Sequence, residues 1–345
     1  AHADDLTGDA ADNQLVGWHG ADTLNGGDGS DIIRGDGGAD IMDGGGDEDW
    51  VMYFGSTAGV TVSLVEDGFG FQSATGGDAT GDVISNFERV WGSDHADDLT
   101  GNDGDNYLLG RDGDDVMDGG AGNDTMRGGV GADTLEGGAD TDLIAYNTSA
   151  VGVTVDLTVD GFGFQSASGG TADGDVISGF ENVAGSAHAD DLTGDDGANV
   201  MLGLGGDDTM DGGSGSDILR GGAGADTMVG GTGNDWVQYA GSSSGVTVNL
   251  TADGSGFQSA SGGDADGDVI SGFEYVFGSA HDDDLTGNTS ANVLLGGEGD
   301  DTINGGGGAD YLRGGSGADD FVFDTALGGG NIDTIADFSV GEDGI

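Results

Sequence analysis

The string DDLTG occurs at residues 4–8, 97–101, 190–194 and 283–287, a step of 93 residues each time. The same grid carries GVTV at 59, 152 and 245, the histidines His2, His95, His188 and His281, and Arg34, Arg127, Arg220 and Arg313. Inside each 93-residue unit runs a period of nine, as in GGDGSDIIR (26–34), GGAGNDTMR (119–127), GGSGSDILR (212–220) and GGGGADYLR (305–313). Six nonapeptides and a 39-residue segment fill one unit, and 22 complete nonapeptides share the frame. Position 8 is apolar in all of them, from Leu15 to Phe321; position 6 is Asp in 18 and Asn in four, Asn13, Asn106, Asn199 and Asn292. A disordered low-complexity polymer has no reason to hold that phase, whereas a fixed period implies stacked supersecondary units.

Nine residues do not accommodate a helix and its return, but they suit a six-residue turn followed by a three-residue strand. Side chains alternate along a strand, so position 8 points inward between two neighbours that point outward. Two nonapeptides make one flattened coil of 18 residues, and stacked coils bury the position-8 ladder as a thin core. Gly at positions 1, 2 and 4 permits turns of positive φ, where a Cβ would clash. The pattern predicts an all-β chain of stacked parallel coils.

That stack lines up the position-6 aspartates in columns with one carboxylate every ~4.8 Å. The chain is already self-repelling: 66 Asp and Glu face six Arg and no Lys, a formal net charge of -60 over 345 residues. Such a polyanion repels nucleic acid and anionic lipid, whose binding needs clustered Lys and Arg. The absence of Cys excludes disulfides and thiolate zinc sites, and no apolar run is long enough for a membrane-spanning helix. No basic and apolar leader is present, so an export address is expected elsewhere. Unpaired carboxylates at the column spacing need cations between them. Calcium is the fitting ion, because it takes six to eight hard oxygen ligands and Gly-rich loops expose carbonyls. Zinc is disfavoured, since the histidines are sparse and fall about five coils apart.

GGxGxDxUx is the known nonapeptide of the RTX (repeats-in-toxin) calcium-binding family, and this chain resembles it in more than a dozen in-phase copies across nearly its whole length. The resemblance implies a right-handed parallel β-roll, a β-solenoid in which each calcium sits between the loops of units n and n+2, held by the position-6 Asp and loop carbonyls. Carried over residue by residue, it implies the pairs Asp22 and Asp40, Asp31 and Asp49, Asp115 and Asp133, Asp124 and Asp142, Asp208 and Asp226, Asp217 and Asp235, and Asp301 and Asp319, with Asp310 in the same run. The second unit of each block has Asn at position 6, and the first has His at position 4 where Gly is expected. Those loops are expected to be weak or empty of calcium and to close and space the coil.

Nonapeptide blocks at 1–52, 92–145, 185–238 and 278–322 alternate with segments 53–91, 146–184 and 239–277. Each segment reads as a strand (VTVSL, VTVDL or VTVNL), a Gly, Ser and Asp loop, then DVISxFE, with Val62 and Leu64 pointing inward in the first. They resemble the spacers of RTX proteins, where the roll continues through wider coils, so one continuous solenoid is expected; 39 residues are too few for an independent core. The loop aromatics Phe69 and Phe71, Phe162 and Phe164, and Phe257 either cover the side of the roll or form a lateral contact surface. Residues 323–345 look like part of an RTX closing segment, and the chain begins inside a repeat, so a portion of something longer is expected.

No catalytic constellation emerges. GSSSG at 241–245 matches a nucleophile pattern, yet its equivalents in the other copies are GSTAG and NTSAV. There is no HExxH, and the many Asp pairs keep a metal-ligand phase. The expected function is a secreted bacterial calcium-binding scaffold of a surface, matrix or adhesive protein, folding on calcium binding outside the cell; type I secretion is what the resemblance implies. The alternatives are an accessory region of a secreted protease, lipase or epimerase, and a self-assembling filament subunit. Expected partners are calcium, and other copies of the chain or cell-surface glycan, with no nucleic acid and no membrane insertion.

Overall fold

The computed structural model describes residues 2–325 and 331–345, so residues 326–330 of the closing segment lie outside the described residues. Among the described residues the regular structure is strand, with three short 3-10 turns at Gly77–Ala79, Gly170–Ala172 and Gly263–Ala265. The chain divides into two compact units. The first holds residues through Ser149 together with Val159–Asn182, and the second holds Ala150–Thr158 and residues from Val183 onward.

In the first unit the nonapeptide strands alternate between two sheets. Thr23–Gly27 and Ile41–Gly45 pair in one, with Leu24 opposite Met42. Gln14–Val16, Ile32–Arg34 and Trp50–Met52 pair in the other, with Leu15, Ile33 and Val51 in register. Each pairing is parallel and joins residues 18 apart, which is the coil length read from the sequence. Leu24, Ile33, Met42 and Val51 are fully buried between the sheets, and Leu6 and Leu15, at the start of the array, are half-exposed. The second unit repeats the scheme with Leu192, Met210 and Met228 on one sheet and Met201, Leu219 and Val237 on the other. Each buried side chain contributes about 1.5–3 kcal/mol. One per nine residues is little against the ordering of so Gly-rich a backbone, so the loops must contribute too. Their sharp bends use Gly27 and Gly29 at φ of +112° and +97°, values that favour glycine.

The spacers are three-stranded meanders. In the first, Thr61–Ser63 and Val83–Ser85 run parallel to the array strands Asp98–Thr100 and Ile41–Gly45, and Gln72–Thr75 lies antiparallel between them. Asp67 makes the reversal: its Oδ1 accepts the N–H groups of Phe69 and Phe71 at 2.7 and 3.1 Å. Buried Gln72 locks it, donating to the carbonyls of Leu64 and Phe87 and accepting the Phe87 N–H. Val62, Leu64, Ile84 and Phe87 are fully buried beneath. At the tips Phe69 and Phe162 are 87% and 88% exposed, so neither covers the side of the coils; Ser255 takes the equivalent place in the third copy.

Candidate metal centre

The position-6 aspartates sit at the bend just before each strand, and the 18-residue register places each one directly beside the next. One carboxylate oxygen is used by the backbone. The N–H of Asp22 donates to Oδ1 of Asp40 at 2.8 Å, that of Asp31 to Asp49 at 2.7 Å, and that of Asp115 to Asp133 at 2.9 Å. The pairs Asp124 and Asp142, Asp208 and Asp226, Asp217 and Asp235, and Asp301 and Asp319 are joined identically at 2.8–3.0 Å. Asp310 accepts from Asn292 at 2.8 Å. The structure therefore brings together every pair inferred from the sequence.

The second oxygen is different. In fourteen of the fifteen candidate aspartates, all but Asp319, Oδ2 is buried and has no hydrogen-bond partner. A buried polar atom left unpaired costs about 1–3 kcal/mol, and more when charged. Each orphan oxygen looks into a small cradle beside the position-1 glycine. A Cβ on Gly26 would strike Oδ2 of Asp31 and the carbonyl oxygen of Gly44; one on Gly110 would strike Asp115 Oδ2 and the Gly128 carbonyl. Gly203 and Gly296 repeat this with Asp208 and Gly221, and with Asp301 and Gly314. Carboxylate and carbonyl oxygens thus converge on a space that a side chain would fill, which is the donor set of a hard cation. Among the described residues no three His, Cys, Asp or Glu side chains converge, so a cation here would draw on main-chain carbonyls beside the Asp oxygens. A bound calcium would supply the positive charge that these buried carboxylates lack.

The electrostatics agree. Burial, reinforced by neighbouring carboxylates, pushes Asp115, Asp142 and Asp301 up to about 7 and Asp208 up to about 8. These side chains are held where their charged form is disfavoured until a cation joins them.

The departures from the motif have their own partners. At the first unit of the later blocks, Asp97, Asp190 and Asp283 are satisfied by serine: both the N–H and the hydroxyl of Ser93 donate to Asp97, and Ser186 and Ser279 do the same for their partners. His95 hydrogen-bonds into this loop through its backbone. In the second units Asn106 and Asn292 donate Nδ2 to the carbonyls of Glu88 and Glu274, placing a neutral N–H in an otherwise anionic column.

The sequence reading missed six acids that continue the columns through the spacers. Asp82, Asp175 and Asp268 accept the N–H of Asp40, Asp133 and Asp226, while Glu88, Glu181 and Glu274 accept from Asp49, Asp142 and Asp235. Their signal was present: Asp82-Val83-Ile84-Ser85 and Glu88-Arg89-Val90-Trp91 reproduce positions 6 to 9 of the nonapeptide, with Glu in place of Asp in the second. Asp82, Asp175 and Asp268 differ in that Oδ2 is capped by a buried tyrosine hydroxyl, from Tyr53, Tyr146 and Tyr239 at 3.2, 3.1 and 2.9 Å.

A family model described as the RTX calcium-binding nonapeptide repeat (4 copies) matches residues 1–33, 20–51, 91–126, 119–147, 184–219, 202–237 and 286–321, more than half of the chain. No curated protein matches it. With the motif, the coil register and this match in agreement, the chain belongs to the RTX family of calcium-binding nonapeptide repeats, and calcium, bound at several points along the array, is its ion.

Proposed function

We propose that this chain is an extracellular scaffold of a bacterial surface, matrix or adhesive protein, whose coils fold when calcium enters the columns, and that it performs no catalysis. The observation that carries this reading is the row of fourteen buried, unpartnered Asp Oδ2 atoms, each facing a glycine cradle. The fifteen candidate aspartates named above are the proposed ligands, fourteen of them working in seven pairs one coil apart and Asp310 standing beside Asn292. Because the carboxylates come together only when coils stack, metal binding and folding are one event. Extracellular calcium modules work at about 10⁻⁴–10⁻³ M, a level met outside cells, so the chain would stay unfolded and exportable before release. Their phase and their use as backbone acceptors favour a ligand role over acid–base chemistry for these carboxylates.

Circular dichroism during calcium titration tests the reading. Strand signal should grow with calcium and disappear with EDTA. Asp217→Ala should raise the calcium needed for folding more than Asn199→Ala, because Asp217 carries an orphan Oδ2 whereas Asn199 bonds its own loop through Oδ1. A spectrum indifferent to calcium, or equal effects of the two substitutions, would sink it.

A further inference from the structure

We infer that each spacer completes one further calcium site on one of its two edges, where it joins the preceding nonapeptides. In the first copy the donors are Asp49, Glu88 and the carbonyl of Asn86. Asp142, Glu181 and the Gly179 carbonyl serve in the second, and Asp235, Glu274 and the Gly272 carbonyl in the third. The inference rests on the calcium reading above and adds ions to it. Residues 86–88, 179–181 and 272–274 belong to no nonapeptide, so the motif assigns nothing to them.

One oxygen in each row is left over. The cradle beside Gly26 collects Oδ2 of Asp31 and the Gly44 carbonyl, so an ion there lies between the loops of Asp31 and Asp49. Asp49 ends the row, and its own Oδ2 is buried without a hydrogen-bond partner in the next cradle, beside Gly44. A Cβ on Gly44 would strike that oxygen and the carbonyl oxygen of Asn86, which the spacer supplies. Gly137 stands in the same way between Asp142 Oδ2 and the Gly179 carbonyl, and Gly230 between Asp235 Oδ2 and the Gly272 carbonyl. Asp49, Asp142 and Asp235 are each 0% exposed, and each has the orphan oxygen.

The spacer loop on this edge is three residues shorter than an array loop. Ser85 pairs with Asp43 and Arg89 with Trp50, so residues 86–88 close the gap that residues 44–49 close one coil earlier. In the third copy Ser271 pairs with Val229 and Tyr275 with Trp236, which sets residues 272–274 beside 230–235. The short loop turns on a left-handed residue: Asn86, Gly179 and Gly272 hold φ of +56°, +69° and +73°, a region that Asn and Gly enter most readily. A shorter backbone path leaves the side chain more distance to cross, and the acid in this loop is Glu, one methylene longer than Asp. Its reach is intact, since Glu88, Glu181 and Glu274 accept the N–H of Asp49, Asp142 and Asp235 at 3.0, 2.9 and 3.2 Å. Arg89, next in sequence to Glu88, pairs with Glu48 instead. Each junction thus assembles two carboxylates and a carbonyl, hard oxygen donors that calcium accepts in irregular geometry, with water or further carbonyls filling its shell.

The opposite edge of the same spacers is built otherwise. Asp40, Asp133 and Asp226 end the other row and also carry an orphan Oδ2. Here a Cβ on Gly35, Gly128 or Gly221 would have only the Asp side chain as its nearest neighbour, with no spacer carbonyl beside it. The acids next along, Asp82, Asp175 and Asp268, have their second oxygen taken by the hydroxyls of Tyr53, Tyr146 and Tyr239. A hydroxyl proton stands where the charge of an ion would be. Each spacer therefore takes calcium on one edge and a tyrosine on the other, and the calcium edge makes spacer and array fold on the same ion.

Native mass spectrometry of the full chain in calcium, with folding first verified by circular dichroism, counts the ions. Glu88→Gln, Glu181→Gln and Glu274→Gln each keep an oxygen for the aspartate N–H while removing the charge. Each should lower the number of bound ions by one, and the three together by three. Asp82→Asn, Asp175→Asn and Asp268→Asn together remove the same three charges from the other edge and should leave the number unchanged. Should the triple Gln chain fail to fold, the single variants decide, since two junctions remain in each. An unchanged ion number in the folded Gln variants, or an equal loss from both edges, would overturn the inference. A single Gln variant that stays unfolded at any calcium level would overturn it too, because that marks the glutamate as structural. An unsubstituted chain that binds no calcium would instead overturn the reading beneath it.

Discussion

Asp208 shows the conflict that the fold resolves at the scale of one side chain. Its Oδ1 accepts the Asp190 N–H at 2.8 Å, its Oδ2 is orphaned, and burial beside Asp226 and Asp190 lifts it from 3.8 to about 8. For an acid whose folded value is raised, the unfolded chain ionises first, so stability present below about pH 4 is lost as pH climbs through the folded values. Asp115, Asp142 and Asp301 at about 7 act with the same sign. In EDTA the chain should therefore gain strand signal when pH is lowered from 8 to 5, the reverse of ordinary acid loss. Running the series in high salt removes the surface component of repulsion and leaves the buried one. A flat or falling signal on acidification would mean that these carboxylates are not buried without metal.

At the scale of the element, nonapeptide and spacer solve the same problem by different chemistry. In the array an aspartate waits for a cation, whereas in the spacer the Asp175 carboxylate is capped by the hydroxyl of Tyr146, itself buried. Tyr146→Phe leaves that oxygen unpaired at a cost of about 1–3 kcal/mol, so Tm in calcium should fall on the order of 5 °C. The number of bound calcium ions, from calorimetric titration, should stay constant; loss of an ion would mean that the tyrosine serves the metal column directly. The nonapeptide was legible because its information is local: Asp31 and Ile33 occupy the same phase in every copy. Spacer coils were legible as apolar strands, Val62 and Leu64 among them. Their reversal was not, because it depends on the Asp67 side chain turning back onto Phe69 and Phe71 and on Gln72 reaching the backbone of Phe87, fifteen residues away. Local alternation records neither contact. Which side of the coil a residue faces was not legible for a related reason: Asp118 and Arg127 are nine residues apart in one run, and only the alternation of strands between two sheets sends them to opposite sides.

For the whole molecule the question is whether calcium screens a charge of -60 or occupies places. Screening would be non-specific. Any electrolyte that shortens the Debye length would relieve repulsion, and 1 M monovalent salt brings it to about 3 Å, less than the spacing of successive coils. Occupation requires an ion that accepts carbonyl and carboxylate oxygens in an irregular, water-poor cradle. Magnesium fits such a cradle badly, because it demands near-ideal octahedral geometry and gives up water reluctantly. The orphan oxygens are buried and lie beside glycine carbonyls, where a diffuse ion atmosphere cannot reach, so relief must come from ions inside. Millimolar calcium should therefore fold the chain, while molar sodium chloride in EDTA, or magnesium at calcium's concentration, should leave most of the strand signal absent. Circular dichroism and hydrodynamic radius measured on the three samples decide the matter. Equal folding in sodium chloride would reduce the columns to a general charge effect and strip the fifteen aspartates of their individual roles.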